Sequence, residues 1–412
     1  MNRPEKLKWI STSPALCQDE RLGEDRERFL PARFSPDGRA IDGSGETTSD
    51  LACFNCHLPI PREALQYRPF FVSVAGTPSS GKTYFQTAMI HNLRQTLESR
   101  ACLEFRKIQS GSSELLFENE QALFGAPEQD ELVSIEKTQE FGELYRLVQF
   151  DQQLVSFPQP FLFLLKPTHR HPNRGSRDQV TRLMAFYDNA GESYEPGRDS
   201  LVNPVTRHLG LSNVIMFCLD LTQESAFQHP RFQHPRFQHP RFQHPRKTLP
   251  TEQGEKQLEC LRETISRANE YSQHGETPRN LVVVVTKFDL WSDKLGIRLK
   301  KNLWLTKDRY SVSAFDTPCV EQVSERLREA LRQRIPEFVK TAEAFSRRLL
   351  FVPVSSTGSS PETDADGFTG IRPSQIRPLW TEAPIVYSMA KWCGGLVPYA
   401  KQGCPWQKKS IH

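Results

Sequence analysis

The sequence has no apolar run that approaches the ~20 residues a membrane-spanning helix needs. Its N-terminus, MNRPEKLKWISTSPALCQDE, has no apolar stretch of the kind a secretory signal carries. No charge sign dominates: 53 Lys and Arg face 49 Asp and Glu, a formal net charge of +4. That balance argues against a nucleic-acid-binding surface, which usually has a lopsided basic footprint. Nine cysteines scattered over 412 residues do not make a disulfide framework. A reduced, cytoplasmic setting is the expectation. The length allows two or three domains, or one large domain with insertions.

Residues 1–68 are polar, rich in Pro, Arg, Asp and Gly, and show no sustained periodicity, so an irregular N-terminal segment is expected. After it, short apolar runs alternate with amphipathic stretches. Phe70–Ala75, Phe161–Leu165, Leu183–Tyr187, Val214–Leu219, Leu281–Val285 and Leu349–Val354 read as buried strands. Thr83–Leu97, the stretch from Leu258 to Tyr271, residues 320–346 with a break near Pro336, and Ala383–Trp392 read as helices. Unbroken apolar strands alternating with helices predict an α/β fold, a mostly parallel sheet covered on both faces. Residues 99–160 alternate apolar clusters with acidic stretches and read as an insertion of helices and loops. Phe-Gln-His-Pro-Arg is repeated four times over 227–246. A proline every fifth residue excludes a stable helix or a central strand, so a disordered surface insert is expected, its four histidines solvated. Residues 69–395 then form the main domain and 396–412 a tail.

In such sheets ligands bind beyond the carboxyl ends of the strands, and the chemistry-bearing motifs fall there. Gly76-Thr77-Pro78-Ser79-Ser80-Gly81-Lys82-Thr83 fits G-x-x-x-x-G-K-[ST] at every fixed position, between a strand and a helix. Glycines let successive N–H groups converge on one anion, and the helix N-terminus adds its positive end. Lys82 is expected on the β- and γ-phosphates and the Thr83 hydroxyl on Mg²⁺. Asp188-Asn189-Ala190-Gly191 follows the Leu183 strand. Asp188 there can hold Mg²⁺ through water, and Gly191 can bring its N–H to the γ-phosphate. Thr286-Lys287-Phe288-Asp289 follows the Leu281 strand. The Asp289 carboxylate can accept from N1–H and the N2 amino group of guanine, a donor pair that adenine lacks. The Lys287 stem can lie along the base. Ser355-Ser356-Thr357-Gly358 follows the last strand, where Ser355 or Ser356 can bring an N–H to the guanine O6.

The set GTPSSGKT, DNAG, TKFD and SST, in this order and each after a strand, resembles the TRAFAC class of P-loop GTPases. More narrowly it resembles bacterial TRAFAC clade GTPase domain proteins with a short Cys-containing segment before the phosphate loop. The resemblance covers roughly residues 68–395. It implies a three-layer P-loop NTPase fold of the Ras-like kind, GTP/GDP and Mg²⁺ binding, slow GTP hydrolysis, and a switch read by an effector protein that the sequence does not name. Thr286 stands where many relatives have Asn. Glu192 stands where Ras-like members place the Gln that orients the attacking water. It is the expected catalytic partner of Lys82, although a carboxylate there also repels the γ-phosphate. That keeps a non-hydrolysing GTP-binding module as an alternative; an ATPase or nucleotide kinase is disfavoured by Asp289. Thr138 is the candidate switch-I threonine and metal ligand. Arg170, Arg174 and Arg177 lie in a basic stretch close in sequence to the switch region, and read as a solvated loop rather than as an arginine finger.

Cys53-Phe54-Asn55-Cys56 is a C-x-x-C with Cys17 upstream and His57 adjacent. A structural zinc site needs four ligands, usually two such pairs. The expectation is a degenerate knuckle, with Zn²⁺ on Cys53 and Cys56 and redox chemistry as alternatives. Cys393 reads as helix packing.

Overall fold

The computed structural model describes residues 7–108, 113–125, 131–135, 144–150, 153–189, 191–194, 205–227, 250–272, 279–306 and 312–401. Seven strands form the main sheet: β1 (Arg68–Ala75), β2 (Leu103–Lys107), β3 (Phe161–Pro167), β4 (Arg182–Asp188), β5 (Val214–Asp220), β6 (Asn280–Thr286) and β7 (Arg348–Pro353). Their spatial order is β7-β6-β5-β1-β4-β3-β2. The five strands from β7 to β4 run parallel; β3 is antiparallel to β4, and β2 antiparallel to β3.

Every residue of β5 and β6 is buried, as a strand covered on both faces requires. The pleat sorts their side chains with a period of two. Val282 and Val284 join Met216 and Cys218 in one core with Phe85, Met89 and Leu93 of α1 (Lys82–Thr96). Leu281, Val283 and Val285 join Ile215 and Phe217 in the opposite core with Leu261 of α2 (Pro250–Glu270). Lys287 alone separates β6 from α3 (Phe288–Leu295).

Helix α4 (Thr317–Arg332) opens on Asp316, whose carboxylate accepts the Cys319 N–H at 3.2 Å, with a proline in the first turn. Its Val320 and Val323 reach the first core, its Leu327 and Leu331 the second, so it wraps the β7 edge of the sheet. Ser324 Oγ accepts the Phe351 N–H at 2.8 Å, and Pro353 has no N–H to offer, so this edge is closed to further pairing. Helix α5 (Pro336–Phe345) packs Phe338, Val339 and Ala342 into the second core, and α6 (Ala383–Trp392) packs Ile385, Val386 and Met389 into the first. Cys393 is buried at the end of α6.

The irregular reading of residues 1–68 is corrected. Four short strands, Leu7–Ile10, Arg28–Phe29, Leu51–Cys53 and Pro59–Ile60, form an antiparallel sheet, and Ala40–Ile41 pairs with Thr47–Thr48. Strands of two to four residues leave no period to detect. Side-chain caps hold them instead: Asp42 accepts from Ser11 Oγ, Ser44 N, Ser44 Oγ and Glu46 N. Against the upward push of burial, these donors hold the Asp42 carboxyl down at about 2.

The insertion reading of 99–160 is also corrected in part. It contributes edge strand β2 to the main sheet, a helix over Ser113–Phe124, and a hairpin pairing Tyr145–Phe150 with Gln153–Pro158. The hairpin rests on the N-terminal sheet's loops. Gln149 N donates to Arg21 O at 2.7 Å, and the Arg146 guanidinium reaches Asp25 at 3.4 Å. Thr138, residues 228–246 of the repeat, and Cys404 lie outside the described residues.

Candidate functional site

The loop between β1 and α1 is shaped by positions where a side chain does not fit. A Cβ on Gly76, at φ +144°, would stand 2.7 Å from the Cys218 carbonyl oxygen of β5. Ser79 and Gly81 are both left-handed, at φ 63° and 88°, and Gly81 caps α1. The loop therefore curls over the end of β5. The Lys82 ammonium folds back under it and donates to Gly76 O at 2.8 Å and Thr77 O at 2.9 Å. An ammonium has three N–H donors, and the third has no partner among the described residues. The Thr77 and Ser80 hydroxyls are likewise buried with no hydrogen-bond partner among them. Buried polar groups are normally satisfied; three unspent groups around one glycine-rich loop make a cradle for an anion.

Two further loops close on this one. A Cβ on Gly191 would fall 2.4 Å from Pro78 N, so the turn Gly191–Tyr194 lies directly on the Gly76–Thr83 loop. Tyr194 pins that turn by donating to Val74 O at 2.9 Å, and Arg267 of α2 donates to Ser193 O. The Glu192 carboxylate is half-buried and makes no hydrogen bond or ion pair among the described residues. Asp188, at the end of β4, is buried. Asn189 next to it donates to Val205 O at 3.0 Å, and His208 Nε2 lies 3.1 Å from its Oδ1. The amide oxygen only accepts, so Nε2 carries the proton and Nδ1 is left to accept from Ser73 Oγ at 2.6 Å. Burial drives the His208 pKa down to about 3, which keeps this network neutral.

On the other side, Thr286 Oγ1 lies within hydrogen-bond reach of Ser80 O (2.8 Å) and Leu219 O (3.2 Å). It ties β6 to the loop and to β5. Lys287 is left-handed, at φ 55°, and its ammonium donates to Ser79 O at 3.3 Å and to Asp220 Oδ2 at 2.5 Å. Ser355 Oγ donates to Asp289 Oδ1 at 2.5 Å and accepts the Gly358 N–H at 2.9 Å. Ser355 is buried and Ser356 half-buried beside it.

The structure thus brings Gly76, Thr77, Pro78, Ser79, Ser80, Gly81, Lys82, Thr83, Gly191, Glu192, Thr286 and Lys287 around one loop, and joins Asp289 to Ser355 by a side-chain bond. It does not bring the basic stretch there. Leu165 pairs with Arg182, and Arg182 with Arg68, so Arg170, Arg174 and Arg177 follow β3 at the opposite end of the sheet, exposed. Closeness to the switch region holds in sequence only, because β3 runs antiparallel. Nor do Cys53 and Cys56 gain metal partners: no group of three or more His, Cys, Asp or Glu suited to a metal occurs among the described residues. His57 spends its Nδ1 on Asp19 at 2.8 Å instead.

Sequence reasoning missed Asp220, His208, Arg267 and Tyr194. Only Asp220 carried a signal, an acidic residue at the end of an apolar strand. The others act from positions that tertiary structure alone brings in.

No family model matches the chain, and no curated protein does. Among solved structures, similarity is found to sup35 complexed with GDP (10% identity, 71% of this chain and 38% of that one, TM-score 0.25). The GTPase-like domain of S. cerevisiae Ski7 bound to GTP gives 12% identity over 72% of this chain and 45% of that one, TM-score 0.24. A protein of Thermus thermophilus gives 13% identity over 70% and 38%, TM-score 0.23. The chain spans less than half the length of each. No helix among the described residues is long and apolar enough to cross a membrane.

Proposed function

We propose that this chain binds GTP and GDP with Mg²⁺, hydrolyses GTP slowly, and acts as a nucleotide-dependent switch of the bacterial TRAFAC kind, with residues 69–395 as its GTPase domain. The observation that carries the reading is the bonding of Thr286 and Lys287 to the backbone of Ser80 and Ser79. It couples the loop that reads the base to the loop that holds the phosphates, so one ligand spans both. Asp289, oriented by Ser355, is the guanine acceptor; the Ser355 N–H is spent on Leu379 O at 3.0 Å, so of the two serines Ser356 supplies the N–H toward O6.

Thr83 and Asp188 fit a magnesium ion. They offer hard oxygen donors at the start of α1 and the end of β4, the ligand type Mg²⁺ prefers. The ion when bound supplies neutralisation of charge on the β- and γ-phosphate oxygens. Lys82 gives its remaining N–H to the same oxygens. The Gly191 backbone N–H, held against Pro78, meets the γ-phosphate, and its loss after hydrolysis frees the Gly191–Tyr194 turn for an effector. Glu192 orients the attacking water.

A second reading has its own observation. Glu192 follows a glycine pressed on the phosphate loop, and its carboxylate brings negative charge toward the γ-phosphate. A non-hydrolysing module with a structural nucleotide follows if that repulsion prevails. Single-turnover assays with labelled GTP separate the two: GDP release on the minutes scale supports hydrolysis, and intact GTP after hours supports the module. For base choice, GTP is expected to outcompete ATP at least tenfold. An unchanged preference in Asp289→Asn would sink the guanine assignment.

A further inference from the structure

The N-terminal sheet carries two turns of the same design. In the first, Gly23 N donates to Asp19 O at 3.0 Å, the Asp19 side chain accepts N–H groups from Arg21 and Leu22, both at 3.0 Å, and Gly23 is left-handed at φ 67°. In the second, His57 N donates to Cys53 O at 2.9 Å, and His57 is left-handed at φ 58°. The first turn has a carboxylate and a leucine where the second has two thiols. The carboxylate is already engaged, since Asp19 and His57 bond each other across the turns. The thiol pair stands in the second turn, both cysteines free and partly exposed.

We propose that Cys53 and Cys56 form a thiol–disulfide exchange site that cycles between a dithiol and an intramolecular disulfide against small-molecule disulfides. Cysteines at the first and fourth positions of a tight turn have Cα atoms within roughly 7 Å, close to the reach of a disulfide. Both are partly exposed, with Phe54 and Asn55 at the tip in solvent. The two roles are already divided. The Cys56 thiol and the N–H groups of Cys56 and Asn55 hold the Cys53 thiol down at about 5, against burial. The same bond, burial and the Cys53 charge push the Cys56 thiol up. Cys53 is therefore the attacking thiolate and Cys56 the resolving thiol.

The exchange balances in two steps. The Cys53 thiolate attacks one sulfur of the small disulfide; that S–S bond breaks, and the departing thiolate takes a proton from solvent. Cys56 then loses its proton and attacks the Cys53 sulfur of the mixed disulfide, releasing the second small thiolate, which takes that proton. Two protein thiols are oxidised by two electrons while one disulfide is reduced to two thiols. The stabilised Cys53 thiolate is a good leaving group, so the protein disulfide is readily reduced again.

The full-length protein is equilibrated with oxidised and reduced glutathione at a series of ratios, quenched with iodoacetamide, and mapped by peptide mass. A Cys53–Cys56 disulfide is expected that rises and falls reversibly with the ratio. At pH 6, Cys53 should alkylate about tenfold faster than exposed Cys17, thiolate fraction outweighing lowered nucleophilicity. Cys56→Ser should stop at a glutathione adduct on Cys53, and Cys53→Ser should show neither product. Absence of the disulfide at every ratio, equal alkylation of Cys53 and Cys17, or stoichiometric zinc shielding both thiols each overturns the proposal. None of these outcomes bears on nucleotide binding, so the two readings stand or fall separately.

Discussion

Asp220 is a buried carboxylate with four donors around it: Thr222 N and Oγ1, Gln223 Nε2 and the Lys287 ammonium. The first three fix its orientation, and the fourth fixes Lys287 beside Ser79 of the Gly76–Thr83 loop. Asp220→Asn keeps the acceptor for Thr222 but can turn an amide N–H toward an ammonium. Charge-assisted hydrogen bonds contribute about 1.5–3 kcal/mol, so GTP affinity in this variant should fall roughly tenfold or more, as measured by fluorescent-nucleotide titration. Unchanged affinity would remove Lys287 from base recognition. His208 makes the complementary case for protonation. Its folded pKa lies near 3, below the ~6.5 of the unfolded chain. The unfolded state therefore binds the proton first, and stability present above pH 6.5 is lost as the pH falls toward 3. By pH 5 the loss from this one group is about 2 kcal/mol. His208→Gln should flatten the unfolding midpoint between pH 7 and pH 5 relative to wild type.

At the scale of elements, the strand–loop–helix from β1 to α1 is a steric construction. Replacing Gly76 with Ala sets a methyl 2.7 Å from a backbone oxygen of β5, at a φ that side chains rarely adopt. A cost of about 3 kcal/mol is expected, read as a lowered thermal midpoint together with lost nucleotide binding. Gly191→Ala differs. Its Cβ strikes Pro78 N in the turn after β4, outside the sheet, so nucleotide binding should weaken with a smaller change in the midpoint. An equal loss of stability in both variants would show that the Gly191 contact is structural. The strands themselves were legible because β5 and β6 are continuously apolar, and the break between α4 and α5 because Pro336 lacks an N–H. The direction of β3 was not legible, since a buried antiparallel strand and a buried parallel one have the same composition. That single reversal placed Arg170, Arg174 and Arg177 at the end of the sheet away from the Gly76–Thr83 loop.

For the whole molecule, a ligand that binds only the folded state stabilises it by about 2.7 kcal/mol at a hundredfold excess over Kd. GTP with Mg²⁺ should raise the thermal midpoint by several degrees and ATP should not; EDTA should reverse most of the shift. An equal shift with ATP would return the chain to the general nucleoside-triphosphate class. The N-terminal sheet and the 145–158 hairpin touch through Arg21, Gln149, Asp25 and Arg146. The hairpin precedes β3 and so belongs to the stretch between the phosphate loop and Asp188.

The sequence alone determined the sheet's apolar strands, the glycine-rich loop Gly76–Thr83 and the placement of Asp188, Asp289 and Ser355 at strand ends, because periodicity and fixed motif spacing are local properties. Tertiary structure decided the rest. It pressed Gly191 on Pro78, held Lys287 with Asp220, and built a sheet from residues 7–60. It also joined His57 to Asp19 across two turns. Each of these depends on contacts between residues far apart in the chain, and no local pattern encodes such a contact.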